Sequence, residues 1–305
     1  MAELTHNDWS GTTYGNGWMH RWLVRIMRVI DVRFFYVFTR IFVLPPTLLI
    51  NGNGRRTAYS FARRRLGLNR RKSARMVWRN FCAFSEVVID RFYMYAGHKF
   101  DIEIDGFEHF DRLQRQPGAF VQLSSHIGNY ELAGYSLVSE LKRINALVFA
   151  GEKDTVMANR SKLFGRGNIR MVPMRRDMSH IFALNEAIDN GEIVSMPADR
   201  VFGSAKAYKV PLFGADARIP QGPFLLAAAK QTPMLFVAVM KAGRKKYRIT
   251  VRELTAPIEM PPRKRAEALV REYAGLLEET VRQYPEQWYN YFNLWTDDRN
   301  LRTDD

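Results

Sequence analysis

The sequence predicts an α/β fold: a mostly parallel central sheet flanked by helices on both faces, preceded by an N-terminal amphipathic, membrane-associated helical segment. Three observations carry this. Short apolar runs of strand length alternate with helix-like stretches, the pattern of parallel strands joined by helical crossovers. The 305 residues are 47% hydrophobic, enough for one large α/β domain or two small ones. No linker, internal repeat or low-complexity segment breaks the alternation, so the chain reads as a segment over 1–54 and one domain over 55–305.

The elements follow in order. From Trp18 to Phe34 the apolar residues Trp18, Met19, Trp22, Leu23, Ile26, Val29, Ile30 and Phe34 share one helical arc. His20, Arg21, Arg25, Arg28 and Asp31 share the other, and Arg33 is the exception. A basic amphipathic helix with tryptophans on its apolar side suits a membrane interface, although an ordinary helix packed on the domain shows the same pattern. The stretch Phe34–Ile50 is strongly apolar, but Arg40 and Pro45-Pro46 interrupt it, short of the roughly 20 clean apolar residues of a spanning helix. It begins late and lacks a small-residue cleavage site, unlike a signal peptide. Asn51-Gly52-Asn53-Gly54 lacks a Walker lysine and reads as a turn.

Helices are predicted over Arg55–Leu66 and Arg71–Ala96, a strand over Lys99–Ile104, and a strand over Ala119–Leu123 that feeds a helix over Asn129–Leu141. Strands over Asn145–Ala150, Ile169–Pro173 and Glu192–Met196 alternate with helices over Asp154–Phe164 and Asp177–Asp189. A helix over Pro223–Lys230, strands over Met234–Met240 and Tyr247–Leu254, and a long helix over Pro262–Tyr284 complete the pattern.

The formal charge is +15, in recurring runs such as Arg63-Arg64-Arg65 and Arg263-Lys264-Arg265. Such an excess suits an anionic partner: nucleic acid, an anionic membrane surface or an acidic carrier protein. No helix-turn-helix, zinc-finger or RNA-binding signature accompanies the runs, so no specific nucleic-acid partner is indicated. One cysteine, Cys82, excludes an internal disulfide and reads as a buried small residue. Without a His-Glu-x-x-His motif or a cysteine cluster, no metal and no cofactor is indicated.

The most informative segment is Ser124-Ser125-His126-Ile127-Gly128-Asn129-Tyr130-Glu131. A strand that ends in an imidazole, turns through Gly128 and Asn129 and enters a helix can build an acyl-transfer site. The imidazole takes a proton from an attacking hydroxyl, and a carboxylate holds the ring in the right tautomer. The turn is essential. In one regular helix His126 and Glu131 would lie about 140° apart, and in one strand they would point to opposite faces. Gly128 lets the chain fold back, and backbone N–H groups at the helix start can face an anionic substrate group. A histidine beside a helix-start acid also fits a plain capping role. His98 and Glu103 repeat the spacing, but the alternating Lys99–Ile104 places them on opposite faces of a strand, as structural or surface residues. Ligands of such sheets bind beyond the carboxyl ends of strands, where Pro197-Ala198-Asp199-Arg200 also lies. Ser124 and Ser125 lack a Gly-x-Ser-x-Gly context.

Leu123–Gly134 resembles the His-x4-Asp/Glu block of the bacterial lipid A late acyltransferases, the lauroyl/myristoyl transferase group. Asn190–Arg200 resembles their Gly-Glu strand ending in Pro-x-Asp, Val210–Gly214 their Val-Pro-Phe-Phe-Gly element, and Tyr284–Trp288 their Pro-Glu-Gln-Trp element. The resemblance implies transfer of a fatty acyl chain from a thioester, on acyl carrier protein or coenzyme A, to a lipid hydroxyl. It implies a peripheral or monotopic enzyme at the cytoplasmic face of the bacterial inner membrane. His126 is implied as general base and Glu131 as its partner. Gly128, Asn129, Asp199 and Arg200, at the same sheet edge, are candidates for positioning the substrate; Asp199 matches the Pro-x-Asp acid, and the resemblance implies a further arginine between the blocks, Arg166 or its rival Arg160. Arg200 and Ser204–Lys209 depart from the family pattern, which leaves the acceptor open: a lipid A precursor, or a lysophospholipid, glycolipid or polyene-type lipid. A non-catalytic membrane-binding protein on the same fold is the alternative of a different class.

Overall fold

The computed structural model describes residues 17–149, 158, 168–175, 177, 179–201, 206–292 and 294–296. Their contacts group into two compact units, one from the residues up to Lys99 with Ala158 and 285–292, the other from the remaining described residues between Phe100 and Tyr284 with 294–296.

The first unit is helical. α1 spans Gly17–Met27 and α2 Val32–Phe38; a π turn over Thr39–Val43 leads into α3, Leu44–Ile50. α4 spans Gly52–Ser60 and α5 Arg70–Tyr95. The single helix expected over Trp18–Phe34 is thus two, because Asp31 caps α2, its side chain accepting from the Arg33 N–H. The apolar arc of α1 faces outward: Trp18 is 62% exposed and Trp22 46%, while His20 is buried against Phe92.

Arg40 and Pro45-Pro46 do not break the next stretch. The prolines occupy the first turn of α3, where their missing N–H groups cost least, and the π turn absorbs the change of register. Arg40 pairs with Glu86 of α5 at 3.0 Å, and the Tyr36 hydroxyl bonds Asp90. Val32–Ile50 is therefore one run of 19 helical residues, long and apolar enough by length and composition to cross a membrane. The turn expected over Asn51-Gly52-Asn53-Gly54 is instead the start of α4: Asn51 caps it, its side chain accepting from the Gly54 N–H at 3.0 Å.

Beneath these helices Leu44, Ala58, Val77, Phe81 and Cys82 form a core. Asn80, also buried, donates to the carbonyls of Glu286 and Trp288, both at 2.9 Å, and accepts from the Tyr291 hydroxyl. The Pro285–Trp288 element is thereby held by main-chain bonds to α5.

The second unit carries a seven-stranded sheet. β1 is Asp101–Asp105, β2 Phe120–Ser124, β3 Ile144–Phe149, β4 Ile169–Met174 and β5 Ile193–Pro197. β6 is Ala207–Leu212, β7 Ala215–Pro220, β8 Met234–Lys241 and β9 Lys246–Leu254. The order is β1-β9-β8-β2-β5-β3-β4, and every neighbouring pair is parallel except β8/β9. Helices α6 (Phe107–Arg115), α7 (Tyr130–Ser136), α8 (Ser179–Asp189), α9 (Gly222–Ala229) and α10 (Pro262–Gln283) surround it. The burial of β2 and β8 over almost their whole length identifies the centre of the core.

β6 and β7 form a separate hairpin that the sequence reading missed. Pro211 and Pro220 mask its strand pattern. Its turn, Phe213-Gly214, has positive φ at both residues, 53° and 74°. Glu278 accepts from the Phe213 N–H and Arg282 lies over the Phe213 ring, which offsets the strained backbone. The helix expected over Asp154–Phe164 lies, except for Ala158, outside the described residues.

Asn80→Ala would strand two carbonyls and a hydroxyl. At about 1–3 kcal/mol for each buried group left unpaired, partly recovered by water, it should destabilise the protein by roughly 2–4 kcal/mol in chemical denaturation.

Candidate active site

The site begins with register. β2 and β5 are parallel neighbours in which Ser124 lies opposite Pro197, so both strands end at the same level. His126 and Asp199 each lie two residues further on and meet. The Ala198 N–H donates to the Ser124 carbonyl at 2.9 Å and locks the two exits together. Asp199 then uses both carboxylate oxygens on one residue: Oδ2 accepts from the His126 backbone N–H and Oδ1 bonds Nδ1 of the ring, both at 2.7 Å.

The electrostatics fix the protonation pattern. The Asp199 side chain is 2% exposed and the His126 side chain 20%. Burial alone would raise the Asp199 carboxyl. The charge and hydrogen bond of the His126 ring, the charge of Arg200 and the His126 N–H outweigh burial and hold it below the usual carboxylate range. An ionised carboxylate only accepts, so the hydrogen-bond network assigns the Nδ1 proton to the ring and leaves Nε2 as the basic nitrogen. The carboxylate bonded to Nδ1 is therefore Asp199, a residue the sequence reading assigned to substrate, whereas it expected Glu131 to orient the ring.

Glu131 is buried in the first turn of α7, where the helix start favours a negative charge. The turn before it is pinned to β8. Gly128 bridges Val239, and the Asn129 N–H donates to the Val239 carbonyl at 2.8 Å. Gly128 has φ of 51°, and a Cβ there would stand 1.9 Å from the Val239 carbonyl oxygen, so only glycine fits. Asn129 is fully buried, its amide nitrogen 3.4 Å from the Tyr247 hydroxyl. Arg200 is partly buried beside Asp199. Arg160 and Arg166 lie outside the described residues.

One supporting residue was not foreseen. Tyr273 of α10, fully buried, meets the Ser125 hydroxyl at 2.6 Å and the Ser124 carbonyl at 3.3 Å, bracing the exit of β2. Burial, with the nearby Asp199 charge, raises its phenol, while Ser125 opposes the shift. A tyrosine on the apolar stripe of a long helix gives no sequence signal of such a contact. The second His/Glu pair is otherwise occupied: His98 stacks on Tyr93 at 3.8 Å and bonds the Met27 carbonyl, and Glu103 pairs with Lys246 and Arg248. Among the described residues no group of three or more His, Cys, Asp or Glu side chains is placed to hold a metal ion.

A search of curated proteins finds no match to this sequence. Among solved structures the chain is similar to the crystal structure of the 1-acyl-sn-glycerophosphate (LPA) acyltransferase, PlsC, from Thermotoga maritima. The identity is 12% and the TM-score 0.38, over 90% of this chain and 99% of that one. The family model described as bacterial lipid A biosynthesis acyltransferase matches residues 75–297, well over half of the sequence. That match spans both strand exits, the hairpin turn and the Pro285–Trp288 element, and the chain belongs to this family of acyltransferases.

Proposed function

We propose that this acyltransferase moves a fatty acyl chain from an acyl thioester, on acyl carrier protein or coenzyme A, to a hydroxyl of a lipid A precursor or a related lipid. The observation that carries the reading is the His126 ring bonded through Nδ1 to a buried, ionised Asp199 at the carboxyl edge of the sheet. Nε2 of His126 takes the proton of the acceptor hydroxyl as its oxygen attacks the thioester carbonyl. Asp199 stabilises the imidazolium that forms. The tetrahedral intermediate then collapses, the carbon–sulfur bond breaks, and the proton passes from the imidazolium to the departing thiolate. Glu131, in the first turn of α7, is the second buried carboxylate of this reading. Gly128, Asn129 and Arg200 are the substrate-positioning residues of this reading, and the family resemblance adds Arg166 or Arg160 to them.

The same reading locates the enzyme at the cytoplasmic face of the inner membrane. The outward apolar arc of α1, the apolar helix Val32–Ile50 and the charge of +15 support association with an anionic lipid surface.

Detergent-solubilised protein, labelled acyl-carrier-protein and acyl-CoA thioesters and a total bacterial lipid extract provide the test, with the product identified by mass. His126→Ala should reduce transfer roughly 10²–10⁴-fold. A wild-type rate in that variant removes His126 from the chemistry. Asp199→Asn keeps the shape but loses the charge, and should also cost about 10²–10⁴-fold in turnover.

The pH dependence has a definite sign. The folded-state pKa of Asp199 lies below its unfolded value. Its stabilisation is complete above the unfolded pKa and is lost as pH falls through the folded one. Chemical denaturation across that acid window should show a steeper loss for wild type than for Asp199→Asn. Equal slopes would mean that Asp199 is not held ionised by the fold.

A further inference from the structure

Two hydroxyls behind the catalytic corner are buried without a part in the proton transfer, that of Ser125 and that of Tyr273 on α10. Ser125 is 1% exposed and Tyr273 is fully buried. A buried hydroxyl costs free energy unless it is hydrogen-bonded, so a tyrosine that only filled space would be better replaced by phenylalanine. The Tyr273 ring already packs like one. Its centroid lies 5.5 Å from that of Phe224 and 5.7 Å from that of Phe236, both edge-on.

What the oxygen adds is a hold on one peptide. It lies 2.6 Å from the Ser125 hydroxyl and 3.3 Å from the Ser124 carbonyl. The carbonyl only accepts, so the phenol donates to it and takes the Ser125 proton in turn, which uses both hydroxyl protons. Burial and the Asp199 charge raise the phenol while Ser125 opposes them, and Tyr273 keeps the proton it donates. The same Ser124 carbonyl accepts from the Ala198 N–H at 2.9 Å. Ser125 immediately precedes His126, and Ala198 immediately precedes Asp199. Tyr273 therefore grips the peptide at which the two strand exits are joined. Its hydroxyl is bonded to the residues behind the imidazole rather than to the imidazole itself, so its effect on transfer acts through them.

We propose that Tyr273 is a positioning residue for acyl transfer: through Ser125 and the Ser124 carbonyl, its hydroxyl fixes the exit of β2 and with it the bond between His126 and Asp199. The role rests on the acyl-transfer reading, in which that pair is the base. Asp199 meets the His126 N–H and Nδ1 at 2.7 Å each, and a carboxylate held to two points of one residue tolerates little movement of either. Small displacements of a catalytic group lower turnover steeply. Because they act on the transition state rather than on substrate binding, they appear in kcat and not in KM.

The experiment is steady-state transfer by the full-length protein in detergent, with a labelled acyl-carrier-protein or acyl-CoA thioester as the varied donor and bacterial lipid extract as acceptor. Chemical denaturation of each variant runs beside it. The variants are Tyr273→Phe, Ser125→Ala and the two combined. Tyr273→Phe should lower kcat roughly 5- to 50-fold, with the donor KM within about twofold of wild type. It should also unfold more readily, because it strands the Ser125 hydroxyl. Ser125→Ala keeps the bond to the Ser124 carbonyl, and its kcat should fall between those of wild type and Tyr273→Phe. The combined variant removes the stranded hydroxyl, so it should regain stability relative to Tyr273→Phe yet turn over no faster. A merely structural tyrosine gives the opposite, turnover that returns with stability. That result, or a wild-type kcat in Tyr273→Phe, would overturn the role. Should Tyr273→Phe fail to fold, the combined variant is read in its place, and a kcat equal to that of wild type or of Ser125→Ala would overturn the role equally. His126→Ala separates this role from the reading on which it rests. An undiminished rate there, or no transfer by wild type, overturns both. Loss of transfer in His126→Ala beside a wild-type rate in Tyr273→Phe overturns the role of Tyr273 alone.

Discussion

Everything at the site depends on two parallel strands ending at the same height. Had β2 and β5 slipped by one residue, the Asp199 carboxylate could not reach both the backbone N–H and the ring nitrogen of His126. The central strands oppose such a slip because it would turn buried Phe120, Val121 and Leu123 to the wrong faces. Hydrophobic patterning therefore sets the geometry of a hydrogen bond. The carboxylate is kept ionised inside the protein only because all its strong partners come from this one meeting of strand ends.

Much of this was legible in the sequence and some was not. The strands that alternate with helices were recognisable within a residue or two, because buried parallel strands are short apolar runs bounded by turns. His126 stood out because a strand, a Gly-Asn turn and a helix follow one another locally. Its bond to Asp199 joins residues 73 apart, and no local pattern encodes which two strands become neighbours. The family resemblance brought Asp199 to notice, whereas only the register revealed its contact. Tyr273 is a further step removed, since it braces the loop from a helix whose apolar stripe reads as ordinary core. The β6/β7 hairpin escaped notice for a different reason: prolines and charges occupy its strands, and one of its turn residues is a phenylalanine in a backbone conformation that favours glycine.

The N-terminal helices show how two unfavourable signals can cancel. Prolines normally end a helix and an arginine normally ends an apolar span. Here the prolines fall in a first turn and the arginine finds Glu86 on α5, so the run stays helical and presents an exposed apolar surface that includes Ile41, Phe42 and Val43. Outward-facing tryptophans on α1 extend that surface. A chain so basic overall thus presents both a charged and an oily character, the two properties by which proteins hold an anionic bilayer.

The single antiparallel seam of the sheet has a consequence in time. β8 and β9 are joined directly through Ala242–Lys245, so their pairing closes a short loop and carries little entropic penalty. β2 must instead find β5 and β8 across long stretches of chain, and such contacts are slow to form. The ladder that nucleates readily is therefore the one on which the Gly128 turn later docks, through Val239. The catalytic corner therefore carries the larger entropic cost of closure, because it joins strand ends far apart in the sequence to a ladder closed by a short loop.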